Sequence, residues 1–175
     1  MATNTWAIDP SHSEIQFKVK HLVITTVTGH FEEFSGAVEA EEGFENASIS
    51  FEANTASINT KSEQRDGHLK SADFFDVEQF PTLSFKSTSF VKDGSDFELK
   101  GDLTIKDVTK TLELDTEFIG IHNYDGQQKA SLEVTAKIKR SDFDLWYNNN
   151  YHHSGISIGQ DIKLVANLEF EILKN

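Results

Sequence analysis

With 175 residues the chain has the length of a single domain, 1–175, and its 29 acidic against 16 basic residues leave a formal charge of −13. That field repels phosphate backbones and anionic lipid surfaces, which argues against a nucleic-acid partner. Cysteine is absent, so thiolate metal sites, cysteine nucleophiles and disulfides are excluded together, while 14 phenylalanines favour strands and an aromatic core.

The chain opens Met1-Ala2-Thr3-Asn4-Thr5-Trp6, with neither the basic nor the apolar region of a leader, and this predicts a cytoplasmic product. If the sequence is a leader-trimmed mature form, the expectation becomes periplasmic. No stretch approaches the ~20 apolar residues of a membrane span, so no integral membrane segment is expected.

Period-two alternation then sets in. Ile15, Phe17 and Val19 share one face against Gln16, Lys18 and Lys20, and His21 continues the apolar parity as a polar tip. A bent strand runs through Val27 to Ala40, and the next splits Ala47, Ile49, Phe51 and Ala53 from Ser48, Ser50, Glu52 and Asn54. Residues 62–79 break the pattern. Ser62-Glu63-Gln64-Arg65 begins like a capping box, and a polar run leads to Asp73-Phe74-Phe75-Asp76, which predicts a short helix and loop across a barrel mouth.

Alternation resumes in a shorter strand from Leu83 through Phe85 to Phe90, then in Phe97, Leu99, Leu103 and Ile105, and in Leu112, Leu114 and Phe118. Ala130, Leu132, Val134, Ala136 and Ile138 form the next inward face. Ile162, Leu164, Ala166, Leu168, Phe170 and Ile172 form the last. Glu41-Glu42-Gly43, Lys92-Asp93-Gly94 and Tyr124-Asp125-Gly126 supply turn residues between runs, and Pro10 and Pro81 stand before predicted strands. About eight strands in hairpin order predict an all-β fold, a closed eight-stranded antiparallel barrel that leaves no long free edge.

Which chemistry such a barrel carries is less constrained. Alternation alone favours a barrel filled by its own side chains. The alternative is a dry tube for a lipid tail, lined by Phe17, Val19, Ile49, Phe51, Leu83, Phe85, Leu103, Ile105, Leu114, Phe118, Leu132, Val134, Ile138, Phe143, Leu164 and Leu168, with Phe74 and Phe75 at the mouth.

Among the histidines, His152 and His153 are adjacent and point apart on a strand, whereas His12, His21, His30, His68 and His122 are scattered, so no metal is expected. His21 reads either as a core histidine bonded to a carbonyl or as a polar contact inside the tube. G-x-S-x-G and the glycine-rich phosphate loops are absent, which discounts a hydrolase and any nucleotide cofactor. The remaining enzymatic reading, an isomerase or cyclase using the barrel as a vessel, has no positive motif. No catalytic residue is assigned.

The stretches Trp6 to Val19 and Gly29-His-Phe31-Glu-Glu-Phe34-Ser-Gly36 resemble the opening of the YceI-like, polyisoprenoid-binding family. The resemblance is most specific in Ala56 to Thr60, Arg65-Asp66-Gly-His68-Leu69-Lys-Ser71-Ala-Asp73-Phe74-Phe75-Asp76-Val77 and Phe80-Pro81. It continues through Gly101 to Ile105, Val108-Thr109-Lys110 and Lys139-Arg140-Ser-Asp142-Phe143. Asp107 departs from the family's usual Gly, and the polar run Asn148 to His153 is particular to this chain.

The resemblance implies a lipocalin-like barrel that binds, without catalysis, a polyprenyl lipid, isoprenoid quinone, fatty-acid derivative or similar long amphiphile, and that forms homodimers. It tips the balance from a filled barrel to a tube. A ligand-free structural module remains the competing reading, recognisable by a barrel with no continuous cavity. Arg65 and His68, in the mouth segment, are candidates for a phosphate head, Arg65 by a bidentate fork; equally, Arg65 can pair with Asp66 or Asp73 to shape the loop. The head-group reading predicts that Arg65→Ala weakens polyprenyl diphosphates more than uncharged quinones.

Overall fold

The structure is a computed structural model describing residues 3–21, 25–145 and 158–173, with backbone only for His21 and Ile158. Within these residues eleven strand segments form one antiparallel sheet. Eight of them close a ring in the order β1 (Asn4–Ile8), β4 (Phe34–Ala40), β5 (Ser48–Asn54), β7 (Thr82–Asp93), β8 (Asp96–Ile105), β9 (Val108–Tyr124), β10 (Gln127–Lys139) and β11 (Ile158–Ile172), with β11 returning to β1.

The other three, β2 (Glu14–His21), β3 (Thr25–Phe31) and β6 (Ile58–Asn59), prolong the wall beyond one end of that ring. β1 and β2 lie in succession along β11, through Ile8↔Phe170 and Phe17↔Leu164, so they are halves of one strand interrupted at a 3-10 turn, Pro10–His12. The strand expected through Val27 to Ala40 is likewise two halves, one paired to β2 and one to β1, parted at Glu32 and Glu33. The fold is the closed eight-stranded antiparallel barrel, built from broken and unbroken strands alike.

Turn chemistry fixes the hairpins. Gly94 and Asp125-Gly126 adopt left-handed conformations where those turns were expected. Between β8 and β9 the left-handed residue is Lys106, not its neighbour Asp107. The β7 strand is longer than the alternation predicted because the register shifts between Ser87 and Ser89, which changes the facing parity midway.

After β6 the chain forms α1 (Glu63–Lys70), whose N-cap Ser62 accepts a hydrogen bond from the Arg65 backbone N–H at 3.3 Å. Turns follow as far as Pro81, and the Pro81 carbonyl accepts from the Thr55 N–H, tying the segment back to the end of β5.

Two apolar clusters fill different parts of the barrel. One gathers Trp6, Phe44, Phe90, Phe97, Phe170 and their neighbours inside the closed ring. The other joins Phe17, Phe31, Phe74 and Phe75 to the aliphatic residues of the wall nearer α1.

Candidate functional site

Inside the barrel lies a cavity of about 710 Å³, within the range of small-molecule sites. A filled barrel would have no such space, so the solid-barrel reading does not hold for this chain. Its wall is built by period-two alternation: β10 contributes Leu132, Val134, Ala136 and Ile138, and β11 contributes Ile162, Leu164, Ala166 and Leu168.

Phe17, Val19, Ile49, Phe51, Phe74, Phe75, Leu83, Phe85, Leu103, Ile105 and Leu114 also line it, as do Leu99 and Leu112. Position 101 faces the same way but carries no side chain. A Cβ there would fall 2.3 Å from Phe85 Cζ and 2.7 Å from the Lys86 carbonyl, so this glycine is what lets the Phe85 ring lie across β8.

Two expected lining residues are elsewhere. Phe118 has the inward parity but sits deeper, its ring stacked on Phe44 at 5.3 Å and set edge-on to Phe97 at 5.7 Å. Phe143 is fully buried in the 3-10 turn Arg140–Phe143 after β10; having left the strand, it packs in the wall cluster and not on the cavity. The side chain of His21, like Trp146 and the polar run Asn148 to His153, lies outside the described residues.

The mouth is polar on one side. Ser62, Gln64, Arg65 and His68 reach the cavity from α1 and its cap, and Gln16 and Lys20 reach it from β2. Arg65 pairs with neither aspartate. Its Nε–H donates to Thr60 Oγ1 at 2.8 Å and an Nη–H to the Thr60 carbonyl at 2.7 Å, while Thr60 donates its N–H and hydroxyl to Asp66 Oδ1 at 2.8 and 2.6 Å. Helix and preceding strand are thus tied through one threonine, which stands between the Arg65 guanidinium and the Asp66 carboxylate. His68 takes the other carboxylate: its Nε2 lies 2.8 Å from Asp73 Oδ2, and its ring meets Phe74 edge-on. Lys20 Nζ donates to Thr26 Oγ1 at 3.2 Å.

The cavity also holds a buried charge that was not among the sequence candidates. Arg140 is buried, with Nε donating to the Gly159 carbonyl at 2.7 Å and Nη1 to the Leu145 carbonyl at 2.9 Å. Burial pushes its guanidinium down from the ordinary range, but an arginine keeps its charge across physiological pH. The signal was present, since position 140 continues the inward parity of Leu132 to Ile138.

A second ionic cluster lies at the seam of β1, β10 and β11. Asp9 Oδ2 lies 2.8 Å from His12 Nδ1, and Asp9 also accepts from the Ser11 N–H and hydroxyl; together these bonds hold its carboxyl at about 2, below its ordinary 3.8. Asp9, His12 and Glu169 are close enough to share a cation. That role is already taken by Lys129, whose ammonium lies 3.0 Å from Glu169, 3.2 Å from Glu171 and 3.7 Å from Asp9.

A UPF0312 protein of Staphylococcus aureus (strain N315) is 35% identical over 170 residues, 95% of this chain and 97% of that protein. The structure of Burkholderia cenocepacia BcnA superposes with a TM-score of 0.80 at 20% identity, over 93% of this chain and 98% of that one. A polyisoprenoid-binding domain from Saccharophagus degradans superposes with a TM-score of 0.72 at 14% identity, over 96% and 98% of the two chains. The model of the YceI-like domain matches residues 6–170, which spans the ring, the mouth helix and the cavity between them, and the chain belongs to that family.

Proposed function

We propose that this protein binds, without chemical conversion, a long-chain isoprenoid or similarly tailed lipid, with the tail in the barrel and the polar end at the mouth beside α1. The observation that carries this reading is the cavity itself: about 710 Å³ walled mostly by aliphatic and phenylalanine side chains, with Ser62, Gln64, Arg65 and His68 of α1 and its cap among its few polar groups. Each methylene taken from water into such a wall gains about 0.8 kcal/mol, so a tail of modest length is held firmly. The Saccharophagus degradans domain of the same fold, which binds polyisoprenoids, supports the choice of ligand class. A greasy wall discriminates poorly among tails of equal size, so quinones, polyprenyl phosphates and fatty-acid derivatives are all candidates.

Native mass spectrometry on protein purified without detergent tests the proposal. A species carrying the extra mass of an apolar small molecule, or uptake of added prenyl lipid in equal amount, is the expected result. Protein that carries nothing and takes up nothing refutes it.

A further inference from the structure

The cavity does not run the length of the barrel. Its deep end is marked by Ile49, Leu99, Leu114, Leu132 and Leu168, and beyond them the closed ring is packed with aromatic rings. At the centre of that packing is Phe44, with no exposed surface. Phe44 does not belong to a strand. It comes from the short turn Glu42–Phe44 between β4 and β5, and its ring enters the barrel to meet Trp6 of β1 edge-on at 5.2 Å, Phe118 of β9 face-on at 5.3 Å and Phe170 of β11 at 6.4 Å.

The backbone carries strain to place it there. Phe44 has φ of 63°, a left-handed conformation that a bulky side chain rarely adopts, directly after Gly43 at 76°. Such a conformation is unfavourable by itself and persists only where surrounding contacts hold it. Here those contacts are rings from three strands of the wall.

We infer that Phe44 is a stopper that sets how long a tail the barrel accepts. This deepens the lipid-binding reading above and rests on it. From Ile138 to Leu132 the lined part of β10 rises about 20 Å at about 3.3 Å per residue, and strand tilt shortens this to about 15 Å along the barrel axis. An extended carbon chain advances about as far per three bonds as an extended peptide does per residue, about 3.3–3.6 Å, so one straight pass takes about a dozen chain carbons. A methylene fills about the volume of a water molecule in the liquid, about 30 Å³, so the whole cavity takes about two dozen carbons. The cavity is therefore short and wide. A methyl-branched tail of farnesyl size, with about a dozen chain carbons, spans it in one straight pass and one of geranylgeranyl size fills its volume by bending, whereas a much longer tail meets the rings and must leave its remainder outside.

Displacement of Nile red by geraniol, farnesol, geranylgeraniol and solanesol reads this directly. In the unaltered protein affinity should rise by about tenfold or more with each added isoprene unit as far as geranylgeraniol, then change by less than about threefold to solanesol. Phe44→Ala, which opens the space behind the floor, should restore a gain of about tenfold or more on going to solanesol, and Phe44→Leu a smaller gain in the same direction. Ala136→Phe, which places a ring halfway down the tube, should move the plateau to the shorter alcohols and weaken geranylgeraniol by about tenfold or more. Each variant is checked for cooperative thermal unfolding, and should Phe44→Ala fail to fold, Phe44→Leu decides. A plateau unmoved in folded Phe44 variants overturns the stopper while leaving lipid binding intact. Failure of every alcohol to displace the dye from the unaltered protein overturns the lipid-binding reading and the stopper with it.

Discussion

The two ends of the barrel obey the same alternation, yet one is solid and the other is open. In the filled end Trp6, Phe90, Phe97, Phe118 and Phe170 point inward and Phe44 enters from the turn. Further along the same sheet the inward positions of β10 and β11 carry leucine, isoleucine, valine and alanine, and the space between them stays open. An eight-stranded ring encloses a cross-section that large side chains just fill, and in the filled end Phe44 adds a ring that belongs to no strand, whereas the phenylalanines of the hollow part, Phe17, Phe51 and Phe85 among them, stand at the wall around open space. Solid core and cavity are divided along the barrel axis.

The comparison breaks most clearly under matched truncations. Phe170→Ala, in the filled end, removes a fully buried ring and leaves a void that the surrounding rings cannot close; a loss of about 3–5 kcal/mol in chemical denaturation is expected. Gly101→Ala should cost about 1–3 kcal/mol, because the new methyl group meets both the Phe85 ring and the Lys86 carbonyl, and only the ring can move. Leu164→Ala, in the hollow part, should cost less than about 2 kcal/mol, since its side chain already faces open space. Its effect belongs to the ligand, and weaker binding of geranylgeraniol is the expected companion. Equal destabilisation by Phe170→Ala and Leu164→Ala would show that the wall is as tightly packed at one end as at the other.

The polar mouth sharpens the contrast. Two of the Arg65 donor groups are spent on Thr60, so Arg65→Ala should loosen α1 and weaken a prenyl diphosphate and the matching alcohol about equally in titration calorimetry. This reverses the discrimination that the sequence suggested. A selective loss of the diphosphate would return Arg65 to the head group.

The smallest effect expected is that of pH on the β1, β10 and β11 seam. The Asp9 carboxyl lies at about 2 in the fold, below its ordinary 3.8, so it contributes stability in full above 3.8 and loses it as pH falls toward 2. His12 is shifted the other way by its bond to Asp9, so its contribution is present below its ordinary 6.5 and is lost as pH rises through its higher value in the fold. Asp9→Asn should therefore flatten both limbs of the melting temperature against pH. An unchanged profile would mean that Lys129 alone holds the seam.

Much of this molecule was legible in one dimension. Alternation at Phe17, Leu132 to Ile138 and Leu164 to Leu168 gave strand identity and facing, since a residue's side of a strand depends only on its parity. Ser62 at the start of α1 was equally readable, because a cap is a local bond. Arg140 was readable by the same parity, though only its family motif drew notice.

What parity cannot convey is depth. Phe118 and Leu114 have the same inward sense, yet one closes the barrel and the other lines its cavity, because their height along the axis depends on the tilt and register of eight strands at once. Nor does a turn such as Glu41-Glu42-Gly43 announce that the following phenylalanine will enter the barrel. Its strained conformation is stable only through contacts with Trp6, Phe118 and Phe170, residues up to 126 positions away in the sequence. The partners of Arg65 were settled in the same manner, by the packing of α1 against Thr60. By itself the sequence determined that there is a wall and which side of it is dry; only the closing of that wall on itself decided where the inside is solid and where it is empty.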